Sequence, residues 1–139
     1  MIVIKWEDYR KIVAWARKGL PNEACGLLGG TVDGNGETRR VEAVYPLTNV
    51  DASREHFSMD PREQLAAVKA MRSRGQVPVG NFHSHPETPS RPSEEDKRLA
   101  RNPRDRYLIL SLMEAEPVLK AFIITKGKNV EQDPILIEG

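Results

Sequence analysis

Between residues 6 and 20 the apolar positions Trp6, Tyr9, Val13, Ala16 and Leu20 recur at alternating spacings of three and four, which is the period of one face of an amphipathic α-helix. Gly19 and Pro21 stop it. The rhythm then changes. Glu23-Ala24-Cys25-Gly26-Leu27-Leu28-Gly29-Gly30 is a run of small and apolar residues behind one carboxylate. It predicts a buried central strand whose glycines allow close backbone approach. The turn Asp33-Gly34-Asn35-Gly36 leads to alternating Val41, Ala43 and Tyr45, so an antiparallel hairpin is expected. Asp60-Pro61-Arg62-Glu63 places Asp at a helix cap and Pro at the first helical position, opening a helix to about Ser73 before Gly75. Val77 to Ser84 reads as a short buried strand through Val77, Val79 and Phe82. Tyr107 to Leu112 and Val118 to Thr125 are strand-like, with a candidate tail strand at Ile135 to Ile137. Helix, hairpin, helix, strand, helix, strands is the order of an α/β (α+β) chain, and 139 residues without repeat or linker predict one domain over 1–139.

Composition removes several classes. Lys+Arg 21 against Asp+Glu 20 leaves a net charge of +1, so no charge excess steers the chain to nucleic acid or an anionic membrane. Met1 to Trp6 is too short and too soon charged for a signal peptide, and no apolar run approaches a membrane span. A cytoplasmic protein is expected. The single cysteine, Cys25, excludes an internal disulfide and agrees with a reducing compartment. Oligomeric state leaves no mark on the sequence.

The chemistry concentrates at His83-Ser84-His85-Pro86, followed after six residues by Ser93-Glu94-Glu95-Asp96. On an extended segment side chains two apart point the same way, so both imidazoles reach one ion. Pro86, Pro89 and Pro92 stiffen the connection to the acidic run. Helix resumes at Ser93, with an N-cap hydroxyl and an acidic first turn. Ser-x-x-Asp is also a plain capping box, and that reading stays open. Two imidazoles and a carboxylate make three ligands for zinc with a fourth position for water, the form of a catalytic site. A general base outside the ligand set is then needed, and Glu23, desolvated at the entry of its apolar strand, is the candidate. Cys25 is expected to be a buried small hydrophobe, since a thiol nucleophile would compete with a metal-and-water mechanism. His56 lies in a polar, loop-like stretch and is expected to be exposed.

Other His-x-His enzymes fit poorly. An amidohydrolase barrel needs about 250 residues. A metallo-β-lactamase-like site wants His-x-His-x-Asp-His, where this chain continues Pro86-Glu87-Thr88, and a histidine-triad hydrolase wants histidine where Glu87 stands. Glu23 ahead of its glycine-rich strand, the His83-Ser84-His85-Pro86 segment and Ser93 to Asp96 at their spacing together resemble the JAMM (MPN-plus) metalloprotease signature, over roughly residues 1 to 126. The resemblance implies a JAMM/MPN-like, cytidine-deaminase-like fold, a mixed β-sheet flanked by helices. It implies that His83, His85 and Asp96 bind Zn2+, that Glu23 activates the water, and that Ser93 hydrogen-bonds the oxyanion. It further implies cleavage of a peptide or isopeptide bond after the C-terminal Gly-Gly tail of a ubiquitin-like or sulfur-carrier protein, as in small stand-alone prokaryotic members that remove a C-terminal cysteine. Two alternatives remain: a catalytically silent scaffold of the same type, and a metal-dependent hydrolase of an unrelated small amide.

Overall fold

A computed structural model describes residues 1–139. The chain runs β1 (Ile2–Lys5), α1 (Trp6–Gly19), β2 (Cys25–Val32), β3 (Arg39–Leu47), α2 (Pro61–Ser73), β4 (Val77–His85), α3 (Glu94–Leu99), β5 (Tyr107–Ser111), β6 (Val118–Thr125), β7 (Asn129–Asp133) and β8 (Ile135–Glu138). All eight strands belong to one mixed sheet, ordered β7-β6-β5-β4-β2-β3-β1-β8. The pairs β1–β3, β1–β8 and β4–β5 are parallel and the others antiparallel. The edge strands β7 and β8 are joined by Pro134 alone. A one-residue link between opposite edges requires the sheet to curl until it nearly closes. No helix is long and apolar enough to cross a membrane.

The glycine-rich strand is central, paired with β3 on one side and β4 on the other. A Cβ at Gly30 would overlap the Arg40 carbonyl oxygen at the bulge between β2 and β3, so here the missing side chain is a packing requirement. Asp60 caps α2 by accepting from the Arg62 and Glu63 amides, with Pro61 at the first position as its sequence predicts. On one face of the sheet, Ile2, Ile4, Leu28, Val41, Phe82, Leu108 and Leu110 pack against Ile12, Val13 and Ala16 of α1 in a single cluster. On the other face Cys25 and Leu47 meet Ala67 of α2, while Ile109, Phe122 and Ile124 meet Ala100 at the end of α3. α2 and α3 therefore share the face that carries the histidines.

Helix α1 departs from the spacing reading at its ends. Trp6 and Leu20 are 50% and 47% exposed, because the buried stripe is centred on Ile12, Val13 and Ala16 and the helix begins and ends beyond the sheet that covers it. Trp6 instead stacks on Tyr9 at the surface, with ring centroids 5.3 Å apart. Strands β1 and β7 also lie outside what the hydrophobic pattern predicts.

Candidate metal centre

Successive residues of β4 alternate faces, so Phe82 and Ser84 enter the α1 side while His83 and His85 share the other. The Ser84 hydroxyl accepts from the Ala24 amide at 2.8 Å, and the Ser84 amide donates to the Ala24 carbonyl at 2.9 Å. That clasp fixes the residue beside Glu23 to the residue between the two histidines. Glu23, two positions before Cys25, consequently points to the face of His83 and His85, and the three residues are 4%, 2% and 4% exposed.

From the opposite wall, α3 delivers Asp96. Its Oδ2 lies 3.1 Å from His83 Nε2 and 3.1 Å from His85 Nε2, and the two nitrogens are 3.2 Å apart. The capping box is present as well: the Ser93 hydroxyl accepts from the Asp96 amide at 3.0 Å, and the Ser93 amide donates to Asp96 Oδ2 at 2.9 Å. The two readings of Ser-x-x-Asp are thus compatible, since the cap is what aims the carboxylate at the imidazoles. The Ser93 hydroxyl spends an acceptor in the cap and keeps its proton for another partner.

These atoms suit a divalent ion. Donors about 2.0–2.1 Å from a tetrahedral zinc sit about 3.3–3.4 Å from one another, close to the observed triangle. The Pro89 carbonyl lies 2.9 Å from His85 Nδ1, and since a carbonyl only accepts, Nδ1 carries the proton and Nε2 of the neutral ring presents a lone pair. A lone pair facing a carboxylate oxygen calls for a cation between them. Without one, a proton serves: burial pulls the His85 pKa down, but the contacts with Asp96 and Pro89 outweigh it and raise it overall. Burial keeps His83 neutral, against the pull of Asp96. Burial resists ionisation of Asp96 too, yet its hydrogen bonds to both imidazoles hold its pKa below the usual carboxylate range.

Two carboxylates compete for the third ligand position. Glu23 and the histidines form a trio with ligand atoms within 4.8 Å of one another, but Asp96 touches both imidazoles at 3.1 Å and is the better-placed ligand. Glu23 stands further out, its Oε1 buried without a partner. Burial first, and then Asp96, lift its pKa from 4.5 to about 8, against the pull of His85. His83 Nδ1 is likewise buried and unpartnered, and its ring is held by stacking on Phe57 at 4.5 Å between centroids.

A cleft of about 260 Å³ opens beside His83 and Asp96, walled by Leu27, Phe57, Met59 and Leu99. A larger groove of about 590 Å³ runs along the outer face of α1 past Trp6 and Arg17, remote from these groups. His56 is exposed and pairs with Asp51 at 3.2 Å, outside the site. Cys25 is fully buried, and burial pushes its thiol up to about 12, which leaves it the packing role its neighbours predict. Phe57 carries no signal in the sequence because its stacking on His83 arises only once distant segments meet, and the Pro89 carbonyl none because its direction is set by how the loop is fastened to β5.

The family described as prokaryotic homologs of the JAB domain matches residues 7–126. A CysO-cysteine peptidase of Mycobacterium tuberculosis is 32% identical over 139 residues, covering 99% of this chain and 92% of the relative. A desampylase of Haloferax volcanii is 39% identical over 105 residues, 72% of this chain and 73% of its own. The solution structure of a Desulfitobacterium hafniense protein superposes with a TM-score of 0.91 at 57% identity, over 99% of this chain and 93% of that one.

Proposed function

The chain belongs to the family of prokaryotic homologs of the JAB domain, and from that premise we propose that it is a zinc metallopeptidase. Its substrate is a ubiquitin-like or sulfur-carrier protein, cut at the peptide or isopeptide bond after a C-terminal Gly-Gly tail. The carrying observation is the convergence of His83 Nε2, His85 Nε2 and Asp96 Oδ2 within 3.2 Å, with Glu23 buried beside them. The relatives named for cysteine removal from CysO and for desampylation support the substrate class. Residues 1–139 act as one unit, and the single cysteine supports a cytoplasmic setting.

In this reading His83, His85 and Asp96 hold the metal, two neutral rings offering lone pairs and one carboxylate offering charge. When bound, zinc polarises the scissile carbonyl and lowers the pKa of water to about 7. Glu23 takes a proton from the attacking water as its oxygen bonds to the carbonyl carbon, and returns it to the leaving amine as the C–N bond breaks. The Ser93 hydroxyl donates to the oxyanion that develops while its oxygen still accepts from the Asp96 backbone amide. The stiff Pro86 to Pro92 loop walls the approach, so a tail without side chains passes closest.

The test is a time course on three ubiquitin-like fusions, one ending Gly-Gly before the scissile bond and two with either glycine changed to valine. The first is cleaved, and the others are about tenfold slower or more. Chelation stops cleavage and zinc restores it. Equal rates on the three fusions would favour the unrelated-amide reading. Ser93→Ala separates cap from catalyst: loss of the oxyanion contact lowers kcat on the order of 10²-fold, whereas loss of the cap alone costs about 1 kcal/mol of stability and spares turnover.

A further inference from the structure

Residues 48–60, between β3 and α2, contain no helix or strand beyond one bridge between Asn49 and Met59, and most of the segment is exposed. It still reaches two residues of the site. The Ser53 carbonyl accepts from the Glu23 amide at 2.7 Å, and the Phe57 ring stacks on His83 at an interplanar angle of 25°. An exposed loop that holds two such groups needs an internal brace.

Asn49 is that brace. Its Oδ1 accepts from the amides of Asp51 at 3.1 Å and Ser58 at 3.0 Å. Its Nδ2 donates to the carbonyls of Glu23 at 3.0 Å and His56 at 3.1 Å. Both amide protons and both lone pairs are used, which no other side chain of this length achieves. The orientation is fixed by the same partners, because a flipped amide would set donor against donor at two places. Within the loop Ala52 is held at φ +46 and donates to the Asn49 carbonyl at 3.2 Å. A left-handed alanine costs about 1 kcal/mol or more and persists only where the surroundings over-determine it.

We propose that Asn49 is a positioning residue for this site. Its carboxamide closes residues 49–58 into one shape, and that shape, through Ser53 and Phe57, sets Glu23 and His83 relative to each other. The catalytic part of the inference rests on the reading of Glu23 as the proton acceptor. The geometric part does not.

Two variants divide the carboxamide. Asn49→Asp keeps the acceptors for Asp51 and Ser58 but turns the two donors into acceptors, while Asn49→Ala removes all four bonds. In the metal-free protein, amide exchange at Glu23 quickens about tenfold or more in both variants while amides of Leu28 and Phe82 keep their protection. With zinc and a Gly-Gly fusion, kcat falls about tenfold or more with KM little changed, as a misplaced base requires. Unchanged exchange at Glu23, or equal quickening along β2 and β4, would overturn the proposal and leave Asn49 a general support of the fold. A rise in KM with kcat intact would overturn it in favour of a substrate contact. Should the wild type cleave no such fusion, the peptidase reading fails, and the exchange measurement still decides the clamp.

Discussion

The fold resists a charge on Glu23. Burial raises its pKa to about 8 from the ordinary 4.5, so the metal-free native protein holds a proton that the unfolded chain releases. The stability this confers is complete below pH 4.5 and is lost as the pH rises through about 8, at roughly 1.4 kcal/mol per pH unit crossed. Glu23→Gln cannot ionise. In chelator, urea unfolding should therefore show the variant gaining on the wild type from about pH 5 to about pH 9. A constant difference across that range would mean that Glu23 is already solvated. At this scale the sequence was informative wherever a local neighbourhood sets the chemistry. A carboxylate opening an apolar strand, or two imidazoles two residues apart, shows its surroundings in the residues next to it. Asn49 does not, because its partners Glu23 and His56 become neighbours only through the fold.

Of the elements that build the site, α3 is only six residues long and the connection leading to it has no regular structure, so both depend on clips more than on propensity. The Pro86 to Pro92 connection is fastened to β5 by the buried Ser90 hydroxyl, which donates to the Ile109 carbonyl at 2.7 Å, and by the Ser111 hydroxyl on the Thr88 carbonyl at 2.6 Å. Between these clips stands Pro89, whose carbonyl orients His85. Ser90→Ala should cost about 1–3 kcal/mol and, with His85 holding zinc as proposed, weaken zinc binding about tenfold by letting the Pro89 carbonyl drift from His85. Ser73→Ala, which removes an exposed hydroxyl contact at the end of α2, should do neither. Calorimetric zinc titration and thermal melts of both variants check this; a destabilised Ser90→Ala with native zinc affinity would detach the loop from His85. The capped helices and the hairpin were legible because cap and turn residues act over three or four positions. Strand β7, Asn-Val-Glu-Gln-Asp, was not, because an exposed edge strand pairs through its backbone and needs no apolar alternation. Strand β1 is four residues long and is defined by partners in β3 and β8.

Over the whole molecule the near-closure of the sheet depends on Pro134 and the residues around it. Asp133 accepts from Arg106 Nε and meets the Met1 amino group, each at 2.8 Å, while the Ile2 amide donates to the Pro134 carbonyl at 2.8 Å. Strand order of this kind was not legible, since it joins residues more than 130 positions apart. The same feature sets a sequence of events in time. β1 cannot be flanked on both sides until β8 arrives, and pairings of such separation form late because loop closure comes before any contact can repay it. In pulse-labelled refolding, amides of β1 and β8 should gain protection together and after those of β2 and β4; early protection of β1 would refute this order. The groups of the candidate site, from Glu23 to Asp96, all lie outside the pairing of β1 with β8 that spans more than 130 positions. If the site takes zinc as proposed, zinc present during refolding should hasten protection of β4 and leave the final closing step at its own pace, the seam between β1 and β8 closing after the site has formed.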